Sequence, residues 1–142
     1  MSAWRVLAKG SKKFMHPLAE DLVEKGYVAV CSNYRLTDVA PAPAQLNDVF
    51  AAIRFLRENA NKYGVDPEKI GVTGSSAGGY LAIMAATFDG CDPIARPNAA
   101  VGMGAQTDLS SPHIQNSTVL NWSKFNSKIL YDSKSEYKEG IY

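Results

Sequence analysis

The sequence predicts an α/β fold, a mostly parallel sheet flanked by helices, and two observations carry that expectation. Short, apolar, β-rich runs at 27–32, 70–74 and 99–106 alternate with longer segments whose apolar residues recur at helical spacing. Turn chemistry marks the joints: Gly26, the stretch "GVDPEK", and the prolines at 93 and 97. Strands and helices that alternate in this way build crossover units, whose strands pair in parallel beneath helices.

Taken in order, residues 11–25 predict a helix capped by Ser11, with Phe14, Leu18 and Leu22 on one stripe and Gly26 at its end. "YVAVCS", 27–32, predicts a strand buried on both faces. "TDVAPAPAQ" has two prolines and no periodicity, so it is a surface connection. From Gln45 to Tyr63 a helix is predicted with Leu46, Val49, Ile53 and Leu56 facing the core, and Asp48, Arg54, Arg57 and Glu58 largely off that stripe. "IGVTG", 70–74, is the second strand, and "AGGYLAIMAATF" after it predicts a helix at 77–87 buried nearly all round. The third strand, "AAVGMGAQ", runs from Ala99 to Gln106 and is followed by Thr107 and Asp108. From Ser110 the texture turns to Ser, Asn, Lys and Tyr, with Val119, Trp122, Phe125, Ile129 and Leu130 at loosely helical intervals. Residues 1–109 are thus expected to form a core portion, and 110–142 a polar, cap-like or mobile helical excursion rather than part of the sheet.

Composition narrows the function classes. At 142 residues there is room for one hydrophobic core, and 46% apolar with 20% charged residues is ordinary globular usage. Fifteen basic against fourteen acidic residues leave a formal charge of +1, without the basic footprint that nucleic acid or an anionic membrane requires. No apolar run approaches the roughly 20 residues of a membrane span, and "MSAWRVLAKGSKKF" lacks the apolar centre of a secretory signal. Cys31 and Cys91 have no second cysteine nearby, so they read as free thiols rather than a metal or redox motif.

The stretch that carries chemistry is "GSSAGGY". Gly74-Ser75-Ser76-Ala77-Gly78 fits G-x-S-x-G with Ser76 at its centre, lying between a predicted strand and a predicted buried helix. At such a turn the central serine occupies strained backbone, and side chains at the flanking positions would collide with neighbouring main chain; glycines at 74 and 78 relieve the crowding. The hydroxyl then stands at the carboxyl end of the sheet, and the Ala77 amide, at the positive end of the helix dipole, points to where an oxyanion would form. Ser75 is the competing serine, but in its register the flanks would be Thr73 and Ala77.

With these residues in place, the chain resembles a known family. "GYVAVCSNYRL", followed by "PAPAQLNDVFAAIRFLRENANKYGVDPEKIGVTGSSAGGYLA", is similar to the α/β-hydrolase esterases related to hormone-sensitive lipase and to the feruloyl-esterase-like carboxylesterases. The likeness extends from about Ala3 to Asp108. It implies a partial α/β-hydrolase fold and hydrolysis of a small-molecule ester through a serine, acid and histidine triad by way of an acyl-enzyme. It further implies Ser76 as nucleophile, the Ala77 amide as one oxyanion donor, and no metal or organic cofactor.

The chain also departs from that family. Ala3-Trp4 resembles the end of a histidine-glycine-glycine loop whose amides complete the family's oxyanion hole, and the loop itself is missing. The triad order places acid and histidine well downstream of the elbow, beyond residue 142. Asp108, at a strand end, is the remaining candidate acid, although the family's usage makes that position structural. His16, inside the first helix, and His113, in "SPHIQ", read as surface or helix-packing histidines rather than bases. The family's strand between 27–32 and 70–74 is likewise absent; "WRVLA" could stand in for it, the two flanking strands could pair directly, or edges could stay unpaired. The reading is a hydrolase fragment truncated at both ends, with negligible esterase activity in isolation. A non-catalytic, hydrolase-like binding module, and a peptidase or amidase of the same fold, are the alternatives.

Overall fold

The computed structural model describes residues 11–108. The excursion expected over 110–142, His113, Ala3 and Trp4 lie outside those residues.

Polar punctuation sets the first element. Ser11 accepts a hydrogen bond from the Lys13 amide and opens a 3-10 turn, Lys12–Met15, that runs into helix α1, His16–Glu24, with Pro17 near its start. At its far end the Gly26 amide donates to Val23 (2.9 Å) and the Tyr27 amide to Leu22 (3.1 Å), with Gly26 at a φ of +86°. That is a Schellman closure, and the left-handed residue it needs is the glycine. The expected core stripe is only partly realised, because Leu18 and Leu22 are half-buried and Phe14 is 71% exposed.

The segment 27–32 is not a strand. Tyr27, Val28 and Val30 face solvent, and no described strand lies beside them. An apolar, β-branched run is a strand only when a neighbour takes up its amides and carbonyls, so sequence preference alone does not make it one. Of the arrangements left open above, direct pairing with 70–74 is not seen, and "WRVLA" lies outside the described residues.

Helix α2, Ala44–Glu58, follows the proline connection, where the buried Gln45 donates its side-chain amide to the Ala40 carbonyl at 2.8 Å. Its buried face carries Leu46 and Ile53, with Val49, Phe50 and Leu56 packed alongside, which is the predicted stripe. The predicted helix to Tyr63 is divided at Asn59, however, and continues as the single turn α3, Ala60–Tyr63. The Asn59 side chain donates to the Phe55 carbonyl at 2.8 Å, a local bond that competes with helical propagation. Gly64, at a φ of +65°, then turns the chain out.

Strand β1, Gly71–Ser75, helix α4, Ala77–Thr87, and strand β2, Ala99–Met103, complete the fold. β1 and β2 pair in parallel, with Gly74 opposite Gly102 and Ser75 opposite Met103, and α4 is the crossover between them. β2 stops short of the predicted Gln106 because β1 ends at Ser75 and Gly104, at a φ of +58°, leads the chain away. As predicted, α4 is buried on most sides, at Ala77, Gly79, Leu81, Ala82 and Ala85. Leu81 and Ala85 join Leu46, Ile53 and Ile70 in the core between α2, α4 and the sheet.

Arg57 fastens the sheet's entry end. Its guanidinium donates to the carbonyls of Pro67 (2.9 Å), Ile94 and Arg96 (2.9 Å) and to Asn98 Oδ1 (2.9 Å). Asn98 Oδ1 also accepts the Ile70 amide at 3.0 Å, so one side chain on α2 aligns the starts of both strands. Arg96 in turn donates to the carbonyls of Ala86 and Phe88, closing the end of α4.

Candidate active site

Backbone geometry separates the two serines of "GSSAGGY". Ser75 is an ordinary exposed strand residue, the last of β1. Ser76 has φ 56° and ψ −115° and is the one non-glycine residue with positive φ among those described. Such backbone costs on the order of 1–3 kcal/mol and persists only where surrounding contacts impose it.

Those contacts are visible. The Ser76 amide donates to the Met103 carbonyl at 2.8 Å, so the sheet's pairing extends one residue past β1. The Ser76 carbonyl accepts the Tyr80 amide at 2.9 Å, the first bond of α4. Held by a strand on one side and a helix on the other, Ser76 has no room to relax.

Close packing explains the glycines, with one change from the sequence reading. A Cβ on Gly74 would lie 2.4 Å from the Gly78 carbonyl carbon and 2.5 Å from its oxygen, which main chain cannot yield to. A Cβ on Gly78 itself would meet nothing within 4 Å, whereas one on Gly79 would lie 2.9 Å from the Gly74 carbonyl oxygen and 3.1 Å from the Met103 amide nitrogen. Gly78 therefore contributes close main chain to Gly74, and the second position that excludes a side chain is Gly79. The doubled glycine was the available signal, but spacing alone does not tell which of the two touches the strands.

Ala77 is buried as the first residue of α4, where an amide has no partner within the helix. Ser76 Oγ, the Ala77 amide and the positive end of the α4 dipole are therefore adjacent at the carboxyl end of β1, a place suited to stabilising a developing oxyanion.

The remaining candidates among the described residues lie on segments other than the elbow. Asp108 is exposed beyond the end of β2. His16 opens α1 in a groove shared with Lys12, Glu20, Glu24 and Cys31, to which no elbow residue contributes. Cys31 and Cys91 are half-buried free thiols, and among the described residues no group of three His, Cys, Asp or Glu side chains could hold a metal.

The groups with displaced pKa values stabilise the framework. Arg35 donates from Nε and Nη2 to Asp48 (2.8–3.0 Å), and its amide donates to Asp48 Oδ2 at 2.7 Å. The Arg35 side chain, then its amide, hold the Asp48 carboxyl below the usual carboxylate range, outweighing the opposing effect of burial. Burial pushes the neighbouring Tyr34 phenol up as its ring packs on the core.

Known proteins supply the family context. The sequence pattern of the BD-FAE family matches residues 2–127. Esterase LipQ of Mycobacterium tuberculosis is 39% identical over 95 residues, which is 67% of this chain and 22% of that protein. The thermophilic esterase 2 of the Planctomycetes species Thermogutta terrifontis superposes with a TM-score of 0.71 at 28% identity, covering 87% of this chain and 47% of that one. Its form phosphonylated by cyclosarin superposes at 0.68 and 28% identity, covering 78% and 46%. The chain thus spans about half the length of this solved esterase and about a fifth of LipQ. No helix among the described residues is long and apolar enough to cross a membrane. The strand, strained serine and crossover helix are accordingly a portion of an α/β-hydrolase fold, and the chain belongs to the BD-FAE family, among esterases and lipases.

Proposed function

We propose that this chain carries the nucleophile of a serine carboxylic-ester hydrolase, with Ser76 as the catalytic residue. The observation that carries the reading is the left-handed Ser76 backbone, fixed between the Met103 carbonyl and the first turn of α4. In the reaction Ser76 Oγ bonds to the ester carbonyl carbon as its proton passes to a base. The carbonyl oxygen becomes an oxyanion beside the Ala77 amide, and the alkoxy group departs with that proton. Water then attacks the acyl-serine, giving the acid and restoring the hydroxyl. The base and its acid partner belong to the longer hydrolase polypeptide, as does the second oxyanion donor; Asp108 remains the minor candidate for the acid. The near-neutral charge supports a small-molecule ester rather than nucleic acid as the partner.

A fluorophosphonate probe tests the assignment. In the longer polypeptide it should label Ser76, and Ser76→Ala should abolish labelling. The isolated 142-residue chain should turn over a short nitrophenyl ester negligibly. Robust Ser76-dependent turnover by that chain would overturn this division of labour. An unlabelled serine in the longer polypeptide would instead favour a non-catalytic binding module.

A further inference from the structure

We propose that Gly102 on β2 is a positioning residue for Ser76, an inference that rests on reading Ser76 as the nucleophile. By lacking a side chain, Gly102 lets the first turn of α4 lie on the strand closely enough for the Met103 carbonyl to grip the Ser76 amide.

The contacts run in sequence. A Cβ at 102 would lie 2.9 Å from Ala105 Cβ, 2.9 Å from Ile83 Cγ1 and 3.0 Å from the Gly79 carbonyl oxygen. The Ile83 side chain can swing, but the Gly79 carbonyl is part of the helix. Gly79 lies about one helical turn after Ser76 and is itself packed against the Met103 amide, so main chain meets main chain at this crossing. A side chain at 102 therefore levers the start of α4 away from β2. The bond most exposed to that movement is the one from the Ser76 amide to Met103, 2.8 Å long. Nothing intrinsic to a serine favours positive φ, so the nucleophile's conformation depends on that grip.

Ala105 makes the idea separable from general packing. Its methyl group occupies the space toward which a side chain at 102 would point. Removing that methyl should let the methyl group introduced by Gly102→Ala tilt away from Gly79 and restore the contact.

Amide hydrogen exchange on the full chain reads the grip directly. Gly102→Ala should speed exchange at Ser76 by at least about tenfold relative to the β1 amides and to the centre of α4, and adding Ala105→Gly should reverse most of that change. In the longer polypeptide, fluorophosphonate labelling should slow by about tenfold in Gly102→Ala and recover in the double variant, since misplacing a nucleophile by a fraction of an ångström has effects of this order. Unchanged Ser76 exchange, or faster exchange spread evenly over β1 and α4, would overturn the proposal. If the wild-type serine does not label, the hydrolase reading fails while the exchange measurement still decides the positioning role. Should Gly102→Ala not fold, the double variant, with space opened for its methyl, is compared with Ala105→Gly alone.

Discussion

Two six-residue runs of the same kind meet different fates. "YVAVCS" at 27–32 and "IGVTGS" at 70–75 are both short, apolar and rich in β-branched residues. The second is paired along its length with β2, covered by α4, and delivers the chain to Ser76. The first has Val28 and Val30 more than half exposed and forms no strand. The difference teaches that a strand belongs to its neighbours: β1 has a parallel partner on the far side of the α4 crossover, and 27–32 has none among the described residues.

The comparison breaks most readily at the elbow. Gly74→Ala forces a methyl group into the Gly78 main chain and should destabilise the fold by about 3 kcal/mol, measured by urea unfolding. A cost below about 1 kcal/mol would mean that the crossing of β1 and α4 is looser than described. Leu81→Ala, at a buried position in the helix that covers β1, should cost about 3 kcal/mol, whereas Val30→Ser in the unpaired run should stay within about 0.5 kcal/mol. A comparable loss from both would show that 27–32 is packed after all.

Arg57→Met tests how the paired region is aligned. It strips a donor from the carbonyls of Pro67, Ile94 and Arg96 and should cost about 2 kcal/mol by unfolding, with faster amide exchange at Ile70.

The smallest effect is that of Asp48. Because Arg35 lowers its folded pKa, the carboxylate contributes stability that is present above its unfolded value, near 3.9, and is lost as pH falls through the lower folded value. Asp48→Asn should therefore cost about 1 kcal/mol at pH 7, and the two proteins should converge in stability as pH falls below about 4. A constant difference across that range would assign the effect to packing rather than charge.

Much of this could be read without coordinates. Period and capping residues located α1, α4 and the start of α2, since Ser11, Gly26 and the stripe of Leu46, Val49, Ile53 and Leu56 act within a single helical turn or along one face. Asn59 was missed because its side-chain bond to the Phe55 carbonyl competes with a helix that its neighbours favour. The elbow was legible as strand, G-x-S-x-G and buried helix, and Ser76 stood out from Ser75 by register alone.

The sequence by itself determined which serine takes the turn, the family to which these residues belong and, though not their break at Asn59, roughly where helical segments lie. Only the tertiary structure decided which apolar runs become strands, which of Gly78 and Gly79 must lack a side chain, and that Met103 holds the Ser76 amide. The physical reason is range. Caps, turns and periodicity are satisfied within a few residues, whereas a strand's hydrogen bonds and a glycine's crowding depend on main chain brought from elsewhere in the sequence, here from β2.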